Sequence, residues 1–341
     1  AQAQGEIEHL FLELVQKGVS KELLNELFPD ILGDYDEELL KKIHLVDNII
    51  PETVKQSKIV NPMMASNNWV INGTKSTSGE PILVNDPHLE INRLPSVWYE
   101  VRLNKQGDIS HGMTMPGICG LLIGTNGNLA WGTTYAFMDA IDSWIEHCKD
   151  ESYLKDGKWI PFKKREEIIK VKGKQAQKVT FYENEHGVLQ GNPIDEGYYL
   201  SSRWSGQDGG ATSIKNGLLM FSRTSVEQGM ECLGKFEMAF NWVLADQEGN
   251  IGYQMSGLLP KRKEGVSGFA PLVGWDSTYD WKGYYAHTDL PSELNPKGGV
   301  IATANEKIII SGKAQTQTIA MGDYRSKRIK QLLAEKSKLE E

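Results

Sequence analysis

The hydrophobic positions of this chain fall into two regimes that meet near residue 66. Over residues 5–17, Ile7, Leu10, Phe11, Leu14 and Val15 recur three and four apart, which predicts an amphipathic helix closed by Gly18. A second short helix is predicted over 20–28, opening at Ser20-Lys21-Glu22 and stopping before Pro29, and a third is expected over 36–49. The polar run bracketed by Pro51 and Pro62 has little periodicity and reads as a surface linker over 51–65.

From Ser66 onward the period changes to two. Trp69-Val70-Ile71 and Pro81–Asn85 are short strands separated by a Gly/Ser/Thr turn at 73–79, and residues 97–103 alternate well. Gly112 to Gly132 is glycine-rich around an apolar centre, Leu121-Leu122-Ile123. The segments 166–172 and 178–184 read as a hairpin, and Phe240 to Gln254 as another across Glu248-Gly249-Asn250. Ser225-Val226-Glu227-Gln228 is a capping box opening a helix to about Gly234, and 324–340 reads as a charged amphipathic helix. Helices, then many strands, then few helices give an α+β class with antiparallel sheets.

Composition narrows the function classes. The 341 residues are enough to bury a substantial core, and 40% hydrophobic with 24% charged is ordinary for a globular protein. The net charge of −8 argues against a nucleic-acid partner, which would call for a basic stripe. No apolar run reaches the length of a membrane span. Cys119, Cys148 and Cys232 are odd in number and widely spaced, so they form neither a disulfide framework nor a zinc site. Phosphate-loop, dinucleotide, zinc-protease and C-x-x-C signatures are all absent.

The candidate nucleophile is Ser66, in Met64-Ala65-Ser66-Asn67-Asn68-Trp69-Val70. No G-x-S-x-G surrounds it, so a hydrolase elbow is not available. A serine also becomes a nucleophile when the peptide bond before it is cut, because its own α-amine then sits beside the hydroxyl as a base.

Ser66–Ile71, Asn85-Asp86-Pro87-His88-Leu89, Pro116-Gly117, Asn126-Gly127 and Trp131-Gly132-Thr133-Thr134 together resemble the penicillin acylase family of N-terminal-nucleophile hydrolases, which includes acyl-homoserine-lactone acylases. The resemblance runs from about Ser66 to Arg325, and the residues before Ser66 match loosely. It implies an αββα sandwich of two antiparallel sheets. It also implies three segments: 1–50 as the helical end of an α-chain, 51–65 as a spacer ending at the autocleavage site, and 66–341 as a core continuing beyond this chain. The chain starts Ala1-Gln2-Ala3-Gln4 without an initiator methionine, so an internal fragment is expected, with its periplasmic or secreted address encoded elsewhere.

The same resemblance implies roles. Ser66 would attack an amide carbonyl after cleavage of Ala65–Ser66. His88 would orient the amine or a bound water. The backbone of Tyr135 and the side chain of Asn305 would hold the oxyanion, with Arg325 supporting the asparagine. Glu306 stands where many relatives carry a second asparagine. Leu89, Leu122, Ile123 and Thr133 would line an aliphatic acyl pocket. Asp139, Ile141 and Asp142 match a structural calcium loop, although the downstream aspartate ligand has no counterpart between Asn305 and Arg325. No organic cofactor is called for, and the expected partners are a small N-acyl amide and the α-chain segment of the same precursor. Two other readings stay open: an uncleaved, inactive β-rich binding module, and a conventional serine hydrolase using His88 or His111 as base.

Overall fold

A computed structural model describes residues 2–29, 31–45, 65–89, 97–317 and 319–340. Most of the expected linker, 51–64, lies outside them. The chain separates into two compact units that interleave along the sequence: Ala1–Ser57, Asp139–Ser205 and Pro260–Tyr284 in one, and Lys58–Met138, Gly206–Leu259 and Tyr285–Glu341 in the other. The expected segment borders at 50 and 65 thus differ from the borders of the compact units.

The second unit contains Ser66. Its shorter sheet is antiparallel, with β1 (Ala65–Ile71) between β18 (Val300–Thr303) and β2 (Ile82–His88). Its larger sheet has the order β17 (Ser292–Leu294), β15 (Ile251–Met255), β14 (Phe240–Asp246), β6 (Leu129–Tyr135), β5 (Ile123–Thr125), β4 (Asp108–Thr114), β3 (Tyr99–Lys105). β1 and β2 lie against β6 and β14. The Asn85 side chain stitches the layers, donating to Thr133 O and accepting from Thr133 N at 3.0 Å each. On the outer face of the larger sheet sit α4 (Ala211–Leu219) and α5 (Val226–Gly234); α6 (Tyr324–Glu335) packs on β18. The four layers are helix, sheet, sheet, helix.

Burial explains why β14 reads as an unbroken apolar run rather than an alternation. Every residue from Phe240 to Asp246 is buried, because both of its faces are covered. Trp131, Trp242 and Leu244 point to the helix side with Met220, Val226 and Leu233. Each such fully buried side chain contributes roughly 1.5–3 kcal/mol. The Ser225 cap forms as expected, accepting from Gln228 N at 3.3 Å, but the reciprocal bond runs from Thr224 N to Gln228 Oε1.

The first unit is built on one sheet in the order β10 (Lys163–Ile169), β11 (Gln177–Asn184), β12 (Gly187–Gln190), β13 (Gly197–Trp204), β7 (Ile141–Lys149), β8 (Ser152–Lys155), β9 (Lys158–Pro161), with β16 (Leu272–Val273) parallel to β7. α1 (Gln2–Gln16) buries Phe11, Leu12 and Val15, and Phe11 meets the rings of Phe28, Tyr35 and Phe269 at 5.4–5.7 Å. α2 (Lys21–Leu27) is capped by Ser20.

Two expected helices are shorter than their patterns. α3 covers only Glu37–Leu40, because Ile43 bridges to Tyr198 and His44 N donates to Tyr198 O at 2.8 Å, pulling the chain onto the sheet. Positions 46–49 of that expected helix lie outside the described residues. α6 stops at Glu335, because Leu339 pairs with residues 75–77 instead. Among the described residues, no helix is long and apolar enough to cross a membrane.

Candidate active site

β1 carries Ser66 at its second position, 4% exposed. Ser66 pairs with Pro87 and Asn68 with Asn85, and paired residues share a face, so these side chains turn together toward β6. After β18 the chain turns through Asn305, whose φ of 68° lies in the left-handed region that asparagine tolerates better than most residues. That turn brings its buried side chain to Ser66. Asn305 Oδ1 accepts the Ser66 backbone N–H at 2.8 Å, and Nδ2 donates to Ser66 Oγ at 3.3 Å and to Tyr135 O at 2.9 Å.

Arg325, in the first turn of α6, fixes the other side. Its guanidinium donates to Ser66 O at 2.9 Å, Asn67 Oδ1 at 2.8 Å, Asn305 Oδ1 at 3.0 Å and Ala304 O. Four acceptors on two chain segments thus share one planar donor fork. Glu306 accepts from Ala304 N at 2.6 Å and so braces the Asn305 turn.

The structure brings Ser66, Asn305, Arg325 and Tyr135 together, and it separates others. Tyr135 meets the site through its carbonyl, which also accepts from Asn241 Nδ2 at 3.3 Å; the expected role was for its N–H. His88 pairs with Ala65, which puts its ring on the opposite face of the sheet from Ser66, and its Nε2 lies 2.7 Å from Asp86 Oδ2. Partial burial would raise the Asp86 pKa, but bonds from His88 and Asn67 hold it below the usual carboxylate range. His111 is held by Glu100 at 2.9 Å on the outer strands. The recorded bonds of both rings go to these carboxylates.

The one described cavity near these positions takes in a single expected pocket residue. Ile123 lines a space of about 470 Å³ with Leu83, Asn85, Met113 and Trp131, but Ser66, Leu89, Leu122 and Thr133 do not. Thr133 pairs with Trp242 and so projects to the helix side, where its hydroxyl donates to Asn241 O at 3.3 Å. Leu122 packs against the core under α4 and α5. Leu89 follows β2, half-buried, next to the stretch 90–96 outside the described residues.

In the other unit, Asp139 in the loop before β7 and Asp142 at the start of β7 are 5% and 1% exposed. Two residues not singled out from the sequence, Arg262 and Glu8, lie beside them. Arg262 lies against both carboxylates, and Glu8 reaches across from α1 to accept from Ser143 Oγ at 2.6 Å. Burial pushes Glu8 up to about 8, helped by the charges of Asp142 and Asp139 and opposed by the Ser143 bond. Burial likewise raises Asp139 to about 6 against the pull of Arg262. A carboxylate on the apolar stripe of α1, beside Phe11 and Leu12, was the one visible hint for Glu8.

The layering and strand pairing define an α+β sandwich of the N-terminal-nucleophile type. The chain belongs to the penicillin amidase family, whose model matches residues 2–341, so the family likeness also covers the N-terminal segment where the motif blocks match only loosely. It is 34% identical to an acyl-homoserine lactone acylase, QuiP, of Pseudomonas aeruginosa over 94% of this chain and 41% of that protein. It is 33% identical to the penicillin G acylase of Escherichia coli over 70% of this chain and 28% of that protein. The chain therefore spans less than half the length of these relatives. Among solved structures, the thermostable penicillin G acylase from Alcaligenes faecalis superposes with a TM-score of 0.72 at 23% identity, covering 80% of this chain and 50% of that one.

Proposed function

We propose that this chain is the nucleophile-bearing part of an acylase that hydrolyses N-acyl amides, with Ser66 acting as an N-terminal nucleophile. The observation that carries the reading is the grip of one buried amide, Asn305, on both the backbone nitrogen and the hydroxyl of Ser66. In the continuous chain that nitrogen is a peptide N–H. Hydrolysis of Ala65–Ser66 consumes one water, leaves a carboxylate on Ala65 and frees the amine.

An α-amine titrates at about 7.7–8.0, so near neutral pH an appreciable fraction holds a free lone pair. It takes the Oγ proton as Oγ attacks the substrate carbonyl, and returns that proton to the departing amine. Water then hydrolyses the acyl-serine, giving a carboxylic acid and regenerating the hydroxyl. Asn305 Nδ2, which reaches Oγ in the uncut chain, is the side-chain donor for the developing oxyanion. Arg325 holds Asn305 and the Ser66 carbonyl in place.

The substrate class follows from the named relatives: an acylated homoserine lactone, or a β-lactam bearing an amide side chain. The segment before Ser66 stays with the rest as its partner, held in part by Gln4 and Glu8 of α1, which bond to Ile141 O and Ser143. Export from the cytoplasm is part of the same proposal and is supported by resemblance.

The test is intact-mass analysis with N-terminal sequencing of the full-length protein, alongside amide hydrolysis assays. A fragment beginning Ser-Asn-Asn-Trp, lost together with activity in Ser66→Ala, is expected. An uncut chain that binds N-acyl amides without turnover would favour the binding-module reading instead.

A further inference from the structure

The oxygens that the family resemblance assigns to a calcium ion are met in this chain by N–H donors. Asp142 accepts from Arg262 through both oxygens, Nε to Oδ2 at 2.7 Å and Nη2 to Oδ1 at 3.0 Å, and Oδ2 also accepts from Trp281 Nε1 at 2.5 Å. Asp139 O accepts from Arg262 Nη2 at 3.0 Å, and Asp139 Oδ1 lies 3.1 Å from Nη2 and accepts from Gln4 Nε2 at 2.6 Å. The Ile141 carbonyl is bonded by Gln4 Nε2 at 2.9 Å. Among the described residues, no group of three or more His, Cys, Asp or Glu side chains is arranged to hold a metal ion. The residues present therefore do not fit calcium: the place between the two aspartates is filled by a guanidinium.

We propose that Arg262 is a built-in cation that replaces a divalent metal at this acidic loop, and that removing it opens a latent divalent-cation site. The geometry is that of a dedicated pair. The Arg262 side chain is 10% exposed, and its planar fork meets Asp142 side-on through two parallel bonds. A Cβ on Gly268 would stand 2.4 Å from Asp139 Oδ2 and 2.5 Å from Arg262 Nη2, so the backbone there closes on the ion pair with no room for another group.

The chemistry favours the swap in both directions. Two buried carboxylates need a cation, and a guanidinium supplies one without the dehydration a metal ion requires. Without the guanidinium, Asp139, Asp142 and the Ile141 carbonyl would be left as oxygen donors with no cation between them. Such hard donors suit calcium.

The experiment uses the full-length protein and calcium chloride as the probe, with thermal melting, calorimetric titration and elemental analysis as readouts. Wild-type protein should carry no stoichiometric calcium after purification in calcium-containing buffer, and its Tm should be the same in chelator and in calcium. Arg262→Ala should melt lower in chelator and regain roughly 5 °C with saturating calcium, with one binding event per chain. A wild type that holds one calcium and loses Tm in chelator would overturn the proposal, and that measurement stands even if the variant fails to fold. A folded Arg262→Ala that neither binds calcium nor gains Tm would overturn it equally.

Discussion

One side chain, Asn305, holds both the backbone nitrogen and the hydroxyl of Ser66: Oδ1 takes the N–H at 2.8 Å, while Nδ2 reaches Oγ at 3.3 Å. In the proposed mechanism this arrangement needs no histidine, and cleavage of Ala65–Ser66 would turn the nitrogen that Asn305 accepts from into the amine. Asn305→Ala removes the proposed oxyanion donor and the anchor of that nitrogen together. On the full-length protein, kcat should fall by about 10²–10³. The buried Ser66 N–H left unpaired should cost about 1–3 kcal/mol, read by urea denaturation of the precursor. Wild-type kcat in this variant would remove Asn305 from the mechanism.

Arg325→Lys keeps a positive charge near the site but not the fork. A lysine ammonium cannot reproduce the planar pattern that reaches Ser66 O, Asn67 Oδ1, Ala304 O and Asn305 Oδ1 at once. The expected result is a folded protein, destabilised by about 1–3 kcal/mol, with slower processing at Ala65–Ser66 and lower kcat. Time-resolved mass analysis of precursor conversion checks the first effect, and steady-state kinetics the second.

These two residues also show how much could be read from the chain. Ser66, Asn305 and Arg325 were singled out through short motif blocks, and the fold brings them together although 239 residues separate the first two. The amphipathic α1 and the β14–β15 hairpin were legible because local periodicity and a turn determine them. His88 was misplaced because its face depends on register: one residue along β2 separates Pro87, beside Ser66, from His88, behind it. The extent of α3 was lost to a long-range bridge with Tyr198. Arg262 was invisible because its partner Asp142 lies 120 residues away and no spacing rule links an arginine to a distant aspartate.

A buried charge cluster in the first unit should make stability pH-dependent. His186, stacked on Trp144 at 4.5 Å, bonds Glu146 at 2.7 Å and Asp280 at 2.8 Å; Lys155 also pairs with Asp280 at 2.6 Å and with Glu185 at 3.4 Å, and Glu185 accepts from Tyr153. Burial alone would lower the His186 pKa, but the bonds to Asp280 and Glu146 more than offset it and raise it above 6.5. A raised histidine pKa means the protonated ring stabilises the fold. That contribution is fully present below pH 6.5 and is lost as pH rises through the higher folded value. Asp280 runs the other way: burial is outweighed by His186 and Lys155, its pKa is lowered, and its contribution fades as pH falls below 3.8. The Tm of wild type should therefore decline above pH 6.5 more steeply than that of His186→Gln, whose overall loss should be about 3 kcal/mol. Parallel profiles for the two proteins would show that His186 is not the titrating group.

At Gly132 the two sheets of the second unit approach each other closely. A Cβ there would stand 2.9 Å from Asn68 Oδ1 and 2.9 Å from Asn85 Cβ. Asn85 cannot turn away, because its amide is bonded to Asn67 O, Thr133 O and Thr133 N. Asn68 is fully buried on β1, two residues from Ser66. Gly132→Ala is therefore relieved by moving β2, which carries Asn85, and with it the paired strand β1 against β6. Ser66 rides on β1, while Asn305 is tied to Tyr135 at the end of β6, so the shift strains the Ser66–Asn305 contact. The expected cost is about 1–3 kcal/mol of stability, accompanied by a fall in kcat larger than any change in KM, since substrate contacts are not the ones displaced. Denaturation and steady-state kinetics on the same preparation separate the effects: lost stability with unchanged kcat would mean that the seating of β1 on β6 does not set the geometry of the nucleophile.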